Sequence, residues 1–287
     1  MKFGYSAIIG KPNVGKSTIL NRLLGTKLSI VGAKPQLTRN RILGILTEGE
    51  YQACFFDTPG IIEPEYELQR LMLDKINDAV KNADLIVWMT DPWYQSPEFP
   101  KNILQVAKRP IIGVINKIDL AAKLDLLPII DELKNLGLVD IIPLSALSGE
   151  GTAELKSIIF KYLPEAPFMY PVGDISDRPE RFFVAELIRE RVFDYFEKEV
   201  PYSTCVVIDE FKEREKGKDY VRATIYVERE SQKGILIGKK GDALKKIGED
   251  ARKEIEDFLG RGVYLELWVK VKEKWRKDKK FLKEIGY

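Results

Sequence analysis

The 287-residue sequence predicts two domains of different class, an α/β domain with a mostly parallel sheet followed by a smaller α+β domain. Three observations carry that prediction. Short apolar runs alternate with helix-period segments over residues 1–163, the pattern of repeated βα units. A proline-rich stretch, PEAPFMYPVGDISDRP at 164–179, then interrupts all periodicity and reads as an interdomain linker, 164–180. Beyond it, over 181–287, the order changes to helix, two strands, two helices and a strand. The length agrees, because single hydrophobic cores rarely grow far beyond about 250 residues.

In the first domain YSAIIG (5–10), YQACFF (51–56), DLIVWM (84–89), PIIGVIN (110–116) and DIIPLS (140–145) read as strands. STILNRLLG (17–25), LQRLMLDKINDAVKN (68–82), NILQVAK (102–108) and LLPIIDELKNLG (126–137) read as helices. Alternation of this kind implies a sheet covered on both faces. In the second domain RFFVAELIRERVFDYFEKE (181–199) is an amphipathic helix, and TCVVIDEFKERE and DYVRATIYVERE pair through a KGKD turn. Two helices flank GKKG at 238–241, and VYLELWVKVK sets Val263, Leu265, Leu267, Val269 and Val271 on one face.

Composition narrows the chemistry. Apolar residues make up 45% of the chain, enough for packed cores, and no apolar run approaches a membrane span. The N-terminus MKFGYSAIIG runs into a motif without a cleavable signal, so a cytoplasmic protein is expected. Cys54 and Cys205 lie far apart in strand-like runs and read as buried, reduced thiols. There is no histidine, which excludes His-based acid/base catalysis, and two cysteines cannot build a zinc site of the usual kind. Abundant Lys and Glu without His suggest a heat-adapted source. The net charge of +2 hides an asymmetry: residues 270–283 hold eight basic side chains against Glu273 and Asp278. Such a run is either a solvated helix face or part of a nucleic-acid surface.

GKPNVGKS at 10–17 matches G-x-x-x-x-G-K-[ST] between a strand and a helix, the context a phosphate loop requires. Gly10 and Gly15 let the backbone of Lys11, Pro12, Asn13 and Val14 curl so that N–H groups face a β-phosphate, and Thr18 opens the helix whose N-terminus adds positive potential. Lys16 would reach the β/γ oxygens and the Ser17 hydroxyl would ligate Mg²⁺. The bland alternative is a glycine-rich helix cap. Asp57, Thr58, Pro59 and Gly60 end the next strand: Asp57 would hold a magnesium-bound water and the Gly60 N–H would sense the γ-phosphate. Asn116, Lys117 and Asp119 lie in NKID, and the Asp119 carboxylate can accept from the two adjacent donors of guanine, a pair adenine lacks. Ser145, Ala146 and Leu147 follow a further strand, and the Ala146 N–H could meet the base oxygen. Each motif alone is weak, and D-x-x-G is usually just a turn. Four in order, each after a strand, imply GTP rather than ATP.

These motifs, with PQLTR at 35–39 and the second-half segments VERESQKG, ILIGKKG, EDARKEIEDF and VYLELWVKVK, resemble the Era family of GTPases over essentially the whole chain. The resemblance implies an α/β P-loop NTPase domain of the Ras-like kind followed by an α+β KH domain of type II. It implies a slow GTPase that binds small-subunit ribosomal RNA and assists maturation of the 30S ribosomal subunit. It further implies a monomer whose small-molecule partners are GTP and GDP. One departure matters. The family's switch segment usually has two threonines before the arginine, and here the first is Leu37, so the resemblance gives Thr38 the γ-phosphate-dependent contact with Mg²⁺. Thr38 as an ordinary loop residue is the alternative. Lys16, Thr38 and Gly60 thus form the expected catalytic set, and Ser17, Thr38 and Asp57 (through water) the metal set. Ile61 stands where Ras-like enzymes place a water-orienting glutamine. Similar GTPases with an apolar residue there in some cases use potassium near the asparagine of the loop, here Asn13, which could equally cap the loop.

GKKG lacks the K-[ST] ending, so it cannot hold a β-phosphate with Mg²⁺. A short G-x-x-G between two helices, in the order α-β-β-α-α-β, is what a KH module uses to clamp about four single-stranded nucleotides. Gly238 and Gly241 permit close approach, and Lys239, Lys240 and Lys245 add charge. Ile235, Leu236 and Ile237 are expected to form the groove wall. A lone G-x-x-G otherwise marks a tight interhelical turn. A third possibility treats 270–281 as a membrane-surface helix with Trp275 at the interface, a weak peripheral contact at the inner face of the cell membrane.

Overall fold

Five of the first unit's six strands run parallel and end at one edge of the sheet, where every nucleotide motif lies. The structure, a computed structural model, describes residues 1–32, 34–93, 109–121 and 126–287; the helix expected over 102–108 lies outside them. The chain divides into two units, Met1–Pro64 with Gln69–Asp177, and Glu65–Leu68 with Arg178–Tyr287.

Along the first part run β1 (Lys2–Gly10), α1 (Lys16–Leu24), β2 (Ile42–Glu48), β3 (Tyr51–Asp57) and α2 (Glu67–Asn82). They are followed by β4 (Leu85–Thr90), β5 (Ile111–Ile115), α3 (Leu127–Lys134), β6 (Asp140–Pro143) and α4 (Thr152–Tyr162). The sheet order is β2-β3-β1-β4-β5-β6. Register aligns the ends: Ile8 sits beside Asp57, Gly10 beside Met89, Thr90 beside Ile115 and Ile115 beside Pro143. β4, in the middle, is buried along its whole length, as a strand covered on both faces must be. Ile9, Phe56, Ile76, Trp88 and Ile115 belong to one core on this sheet.

β2 is the strand the expectations passed over. It pairs antiparallel with β3, and Gly44 in its middle weakens any strand signal. The reason for glycine is packing: a Cβ there would come within 2.8 Å of Leu20 and Leu24 on α1.

The proline-rich stretch is tied to this unit by hydrogen bonds. Buried Gln52 uses all its capacity there, accepting from the N–H groups of Met169 and Tyr170 and donating to Tyr170 O at 2.9 Å and Thr47 Oγ1 at 3.0 Å. Ile45 N–H donates to Ile175 O at 2.9 Å and the Ser176 hydroxyl to Leu43 O at 2.6 Å.

The second unit carries α5 (Glu180–Tyr195), β7 (Cys205–Lys212), β8 (Asp219–Val227), α6 (Glu230–Ile237), α7 (Asp242–Leu259), β9 (Val263–Val271) and a short α8 (Lys279–Glu284). The order expected from the sequence is borne out, in a sheet β7-β8-β9 whose last pair is parallel. Val184, Ile188, Val221, Ile225, Ile247 and Ala251 are buried in its core.

The basic run corrects one expectation. Residues 263–271 are strand, and Trp275 is fully buried, its indole N–H donating to Ser203 O at 2.8 Å, with Phe281 and Leu282 also buried. Trp275 therefore cannot sit at a membrane surface. Lys274, Lys277, Lys279, Lys280 and Lys283 are exposed around this inward-turned apolar set. Among the described residues no helix is long and apolar enough to cross a membrane.

Candidate functional site

The 10–17 loop leaves β1 and turns into α1 through Gly15 at φ +97°, a left-handed conformation that suits glycine. A side chain there would also strike Asn116, whose Nδ2 lies 2.2 Å from the position of a Cβ. Lys16 is buried, its ammonium donating to Gly10 O at 3.1 Å and Lys11 O at 2.8 Å. Burial pulls its pKa down to about 8, against the opposing pull of Asp57.

The three residues expected around Mg²⁺ converge. Ser17 Oγ donates to Asp57 Oδ2 at 2.7 Å and lies 2.9 Å from Thr38 Oγ1. Burial pushes the Asp57 carboxyl above its ordinary range, while the Ser17 hydrogen bond and the Lys16 charge hold it down. Its other oxygen, Oδ1, is buried and has no hydrogen-bond partner among the described residues. Two hydroxyls and a buried carboxylate with an unused oxygen form an all-oxygen donor set, the chemistry Mg²⁺ requires. The residues fit the ion.

A cleft of about 510 Å³ opens over these groups, lined by Pro12, Asn13, Gly15, Lys16, Ser17, Thr18 and Gly60 on the phosphate side. Asn116, Lys117, Asp119, Ala146 and Leu147 line the other side. Asn116 ties the two together, since Nδ2 donates to Val14 O at 2.7 Å and Oδ1 accepts from Ala146 N–H at 2.8 Å. Ala146 N–H, the group expected to meet a base oxygen, donates to Asn116 here while its residue lines the cleft. Lys117 stands in a left-handed turn with Nζ 3.5 Å from Asp91.

Gly10, Lys11, Val14, Asp57, Thr58, Pro59 and Ser145 do not line the cleft. Val14 is buried beneath the loop, Thr58 donates to Ile8 O at 2.7 Å and the Ser145 hydroxyl accepts from Ser148 N–H at 3.1 Å, so these brace the loops from behind. The walls missed in the sequence are Ile30, Val31, Gly32, Lys34 and Leu120, which carry no motif, joined by Gln36 and Leu37 of the PQLTR segment. Ile61 packs against the sheet core, its N–H donating to Gly10 O at 3.1 Å.

In the second unit the turn between α6 and α7 places Gly238 at φ +73°, where a Cβ would lie 2.7 Å from that of Ala243. Lys239 and Lys240 are exposed. The adjoining groove, about 390 Å³, is walled by Gly241, Leu244, Lys245 and Gly248 of the turn and α7 and by Leu265 and Leu267 of β9, with Glu249 and Arg252 beside them. Of the expected wall of Ile235, Leu236 and Ile237, the Leu236 part is corrected. Leu236 is fully buried in the core, Ile237 packs partly against it, and none of the three lines the groove.

A phosphate loop, a convergent oxygen set and base-recognition motifs at the carboxyl edge of a parallel sheet define a P-loop GTPase. The α-β-β-α-α-β unit with its G-x-x-G turn defines a KH domain. The comparisons agree: the family model described as 50S ribosome-binding GTPase matches residues 5–117, and the KH domain model matches 199–276. The chain is 46% identical to the GTPase Era of Lactobacillus helveticus over 100% of its own length and 96% of that protein's. It is 47% identical to the GTPase Era of Trichlorobacter lovleyi, covering 100% and 98%. A crystal structure of an Aquifex aeolicus Era variant bound to GDP·AlF4⁻ superimposes with a TM-score of 0.94 at 43% identity, covering 100% of this chain and 99% of that one. A structure of Era with MgGDPNP and nucleotides 1506–1542 of 16S ribosomal RNA matches with the same score, identity and coverage. The chain belongs to the GTPase Era family.

Proposed function

We propose that this protein is a GTP-hydrolysing switch that binds the 3′ region of small-subunit ribosomal RNA through its KH groove and assists small-subunit assembly. The observation that carries the nucleotide half is the meeting of Ser17, Thr38 and Asp57 beside Lys16. When bound by Ser17, Thr38 and, through water, Asp57, Mg²⁺ neutralises charge on the β- and γ-oxygens. Lys16 contributes a second positive charge from a buried position, where it acts far more strongly than in water. Asp119 reads the guanine donors. The hydrolysis GTP + H₂O → GDP + phosphate gets no water-orienting side chain from Ile61, so unassisted turnover is slow. Asn13, on the cleft wall, is the residue that would hold potassium, and replacing potassium with sodium in the assay tests that role. The RNA half is supported by the groove beside Gly241 and by the relative bound to 16S nucleotides 1506–1542. The protein works as a monomer in the cytoplasm; with Trp275 buried, a weak peripheral membrane contact would rest on the exposed lysines of the tail alone.

Thr38→Ala tests the assignment. Mg²⁺-dependent GTP hydrolysis should fall at least tenfold while GDP affinity stays within about twofold, because Thr38 would contact the metal only with the γ-phosphate present. Unchanged hydrolysis would leave Thr38 an ordinary loop residue.

A further inference from the structure

In the loop over the base edge, residues 145–149, the one large apolar side chain gives no anchorage: Leu147 is 73% exposed, and of the apolar residues only the small Ala146 is buried. Hydrogen bonds hold the rest of its shape. Ser145 N–H donates to Glu150 O, Ala146 N–H to Asn116 Oδ1, Ser148 N–H to Ser145 Oγ and Gly149 N–H to Ser145 O. Among the described residues, Leu147 N–H is the one backbone donor of the five left without a partner.

From the opposite side comes Arg22, in the last turn of α1. Its Nε donates to Ala146 O at 3.3 Å and its Nη2 donates to Leu147 O. The guanidinium lies along Gly149, about 3.6 Å from where a Cβ would stand. In a trans peptide the C=O and the following N–H point in opposite directions, and there is no cis bond among the described residues. A guanidinium that fixes Ala146 O on the α1 side therefore turns Leu147 N–H away from α1. Leu147 itself lines the nucleotide cleft.

We infer that Arg22 is a positioning residue for guanine recognition, and that the donor it aims at the base oxygen is Leu147 N–H. The inference rests on the guanine-site reading above and adds to it the group that meets O6. It also makes α1 common to both ends of the nucleotide, with Lys16 at its first turn and Arg22 at its last.

The test compares three diphosphates by equilibrium binding to the full chain: GDP, IDP and 2-aminopurine riboside diphosphate. IDP keeps the 6-oxygen and the ring N–H but lacks the 2-amino group; the 2-aminopurine analogue keeps the amino group but lacks the oxygen and, with it, the ring N–H. Arg22→Ala should weaken GDP and IDP by the same factor, about fivefold to tenfold. It should leave the oxygen-free analogue within twofold. Arg22→Lys, which can still donate to the two carbonyls, should recover part of the loss. Equal weakening of all three ligands would mean that Arg22 supports the domain as a whole and would overturn the inference. So would no weakening at all. Wild-type protein that binds the 2-aminopurine analogue as tightly as GDP would instead overturn the underlying guanine assignment, a separately visible result.

Discussion

Two glycine-lysine loops, 10–17 and 238–241, put their lysines to opposite use. In the first, Lys16 is buried and turned inward onto loop carbonyls, at the N-terminus of a helix and beside a hydroxyl and a carboxylate. In the second, Lys239 and Lys240 are exposed on a turn, with a groove alongside that includes the apolar Leu244, Leu265 and Leu267. The first geometry closes around a compact anion and its metal. The second offers an edge to a chain, where charge is spread along a backbone and bases need an apolar wall. Loop composition alone does not separate these uses; the burial of the lysine and its neighbours does.

The largest effect belongs to Lys16. Lys16→Ala removes the charge facing the phosphates and leaves the buried Asp57 without its opposing partner. Nucleotide affinity should fall by about 3–5 kcal/mol, a hundredfold or more, by calorimetry with GDP. RNA binding in the absence of nucleotide should stay at the wild-type level. The reciprocal change, Lys239→Asp with Lys240→Asp, should cost RNA affinity about 30-fold and lower the salt slope by about 1.4, since two phosphate contacts are lost. GDP affinity should not move. Full-strength RNA binding by that variant would shift the site to the exposed lysines of 274–283.

Protonation sharpens the contrast at smaller amplitude. Burial holds the Lys16 pKa down to about 8 in the nucleotide-free protein, and bound phosphates would raise it. Above pH 8 nucleotide binding must therefore take up a proton, and affinity should fall about tenfold from pH 7 to pH 9. The stability of the nucleotide-free protein should show the opposite trend. Its folded Lys16 pKa lies below the ordinary 10.5, so the unfolded chain holds more protons between these values, and this group makes stability rise with pH there. RNA binding at the exposed Lys239 and Lys240 should show no such step near pH 8. A flat GDP profile would mean that Lys16 is protonated throughout.

The sequence made the motif loops legible because each is short, contiguous and follows a strand, so the parallel sheet must bring them to one edge. What it hid is tertiary. The Ala146–Asn116 hydrogen bond joins residues thirty apart in the chain, and no local pattern signals it. In the run Ile235–Ile237 successive side chains point about 100° apart on a helix, so they cannot all face the core, and composition does not say which does. Leu236 takes that place. The basic tail concealed Trp275, Phe281 and Leu282 because lysines outnumber them, although their spacing turns all three inward. β2 was missed because Gly44 serves the packing of α1 at the expense of a strand signal.

The central claim is that the two loops belong to one switch, with the γ-phosphate sensed at Thr38 and Gly60 changing the affinity for RNA. The direct measurement is a titration of a 16S 3′-end RNA, equivalent to nucleotides 1506–1542, into protein loaded with GDP or with a non-hydrolysable GTP analogue. The account predicts tighter binding with the analogue, by about 5- to 150-fold, and by linkage the same factor for analogue binding when RNA is present. Equal RNA affinities in the two states would contradict it, leaving a nucleotide site and an RNA site that merely share a chain.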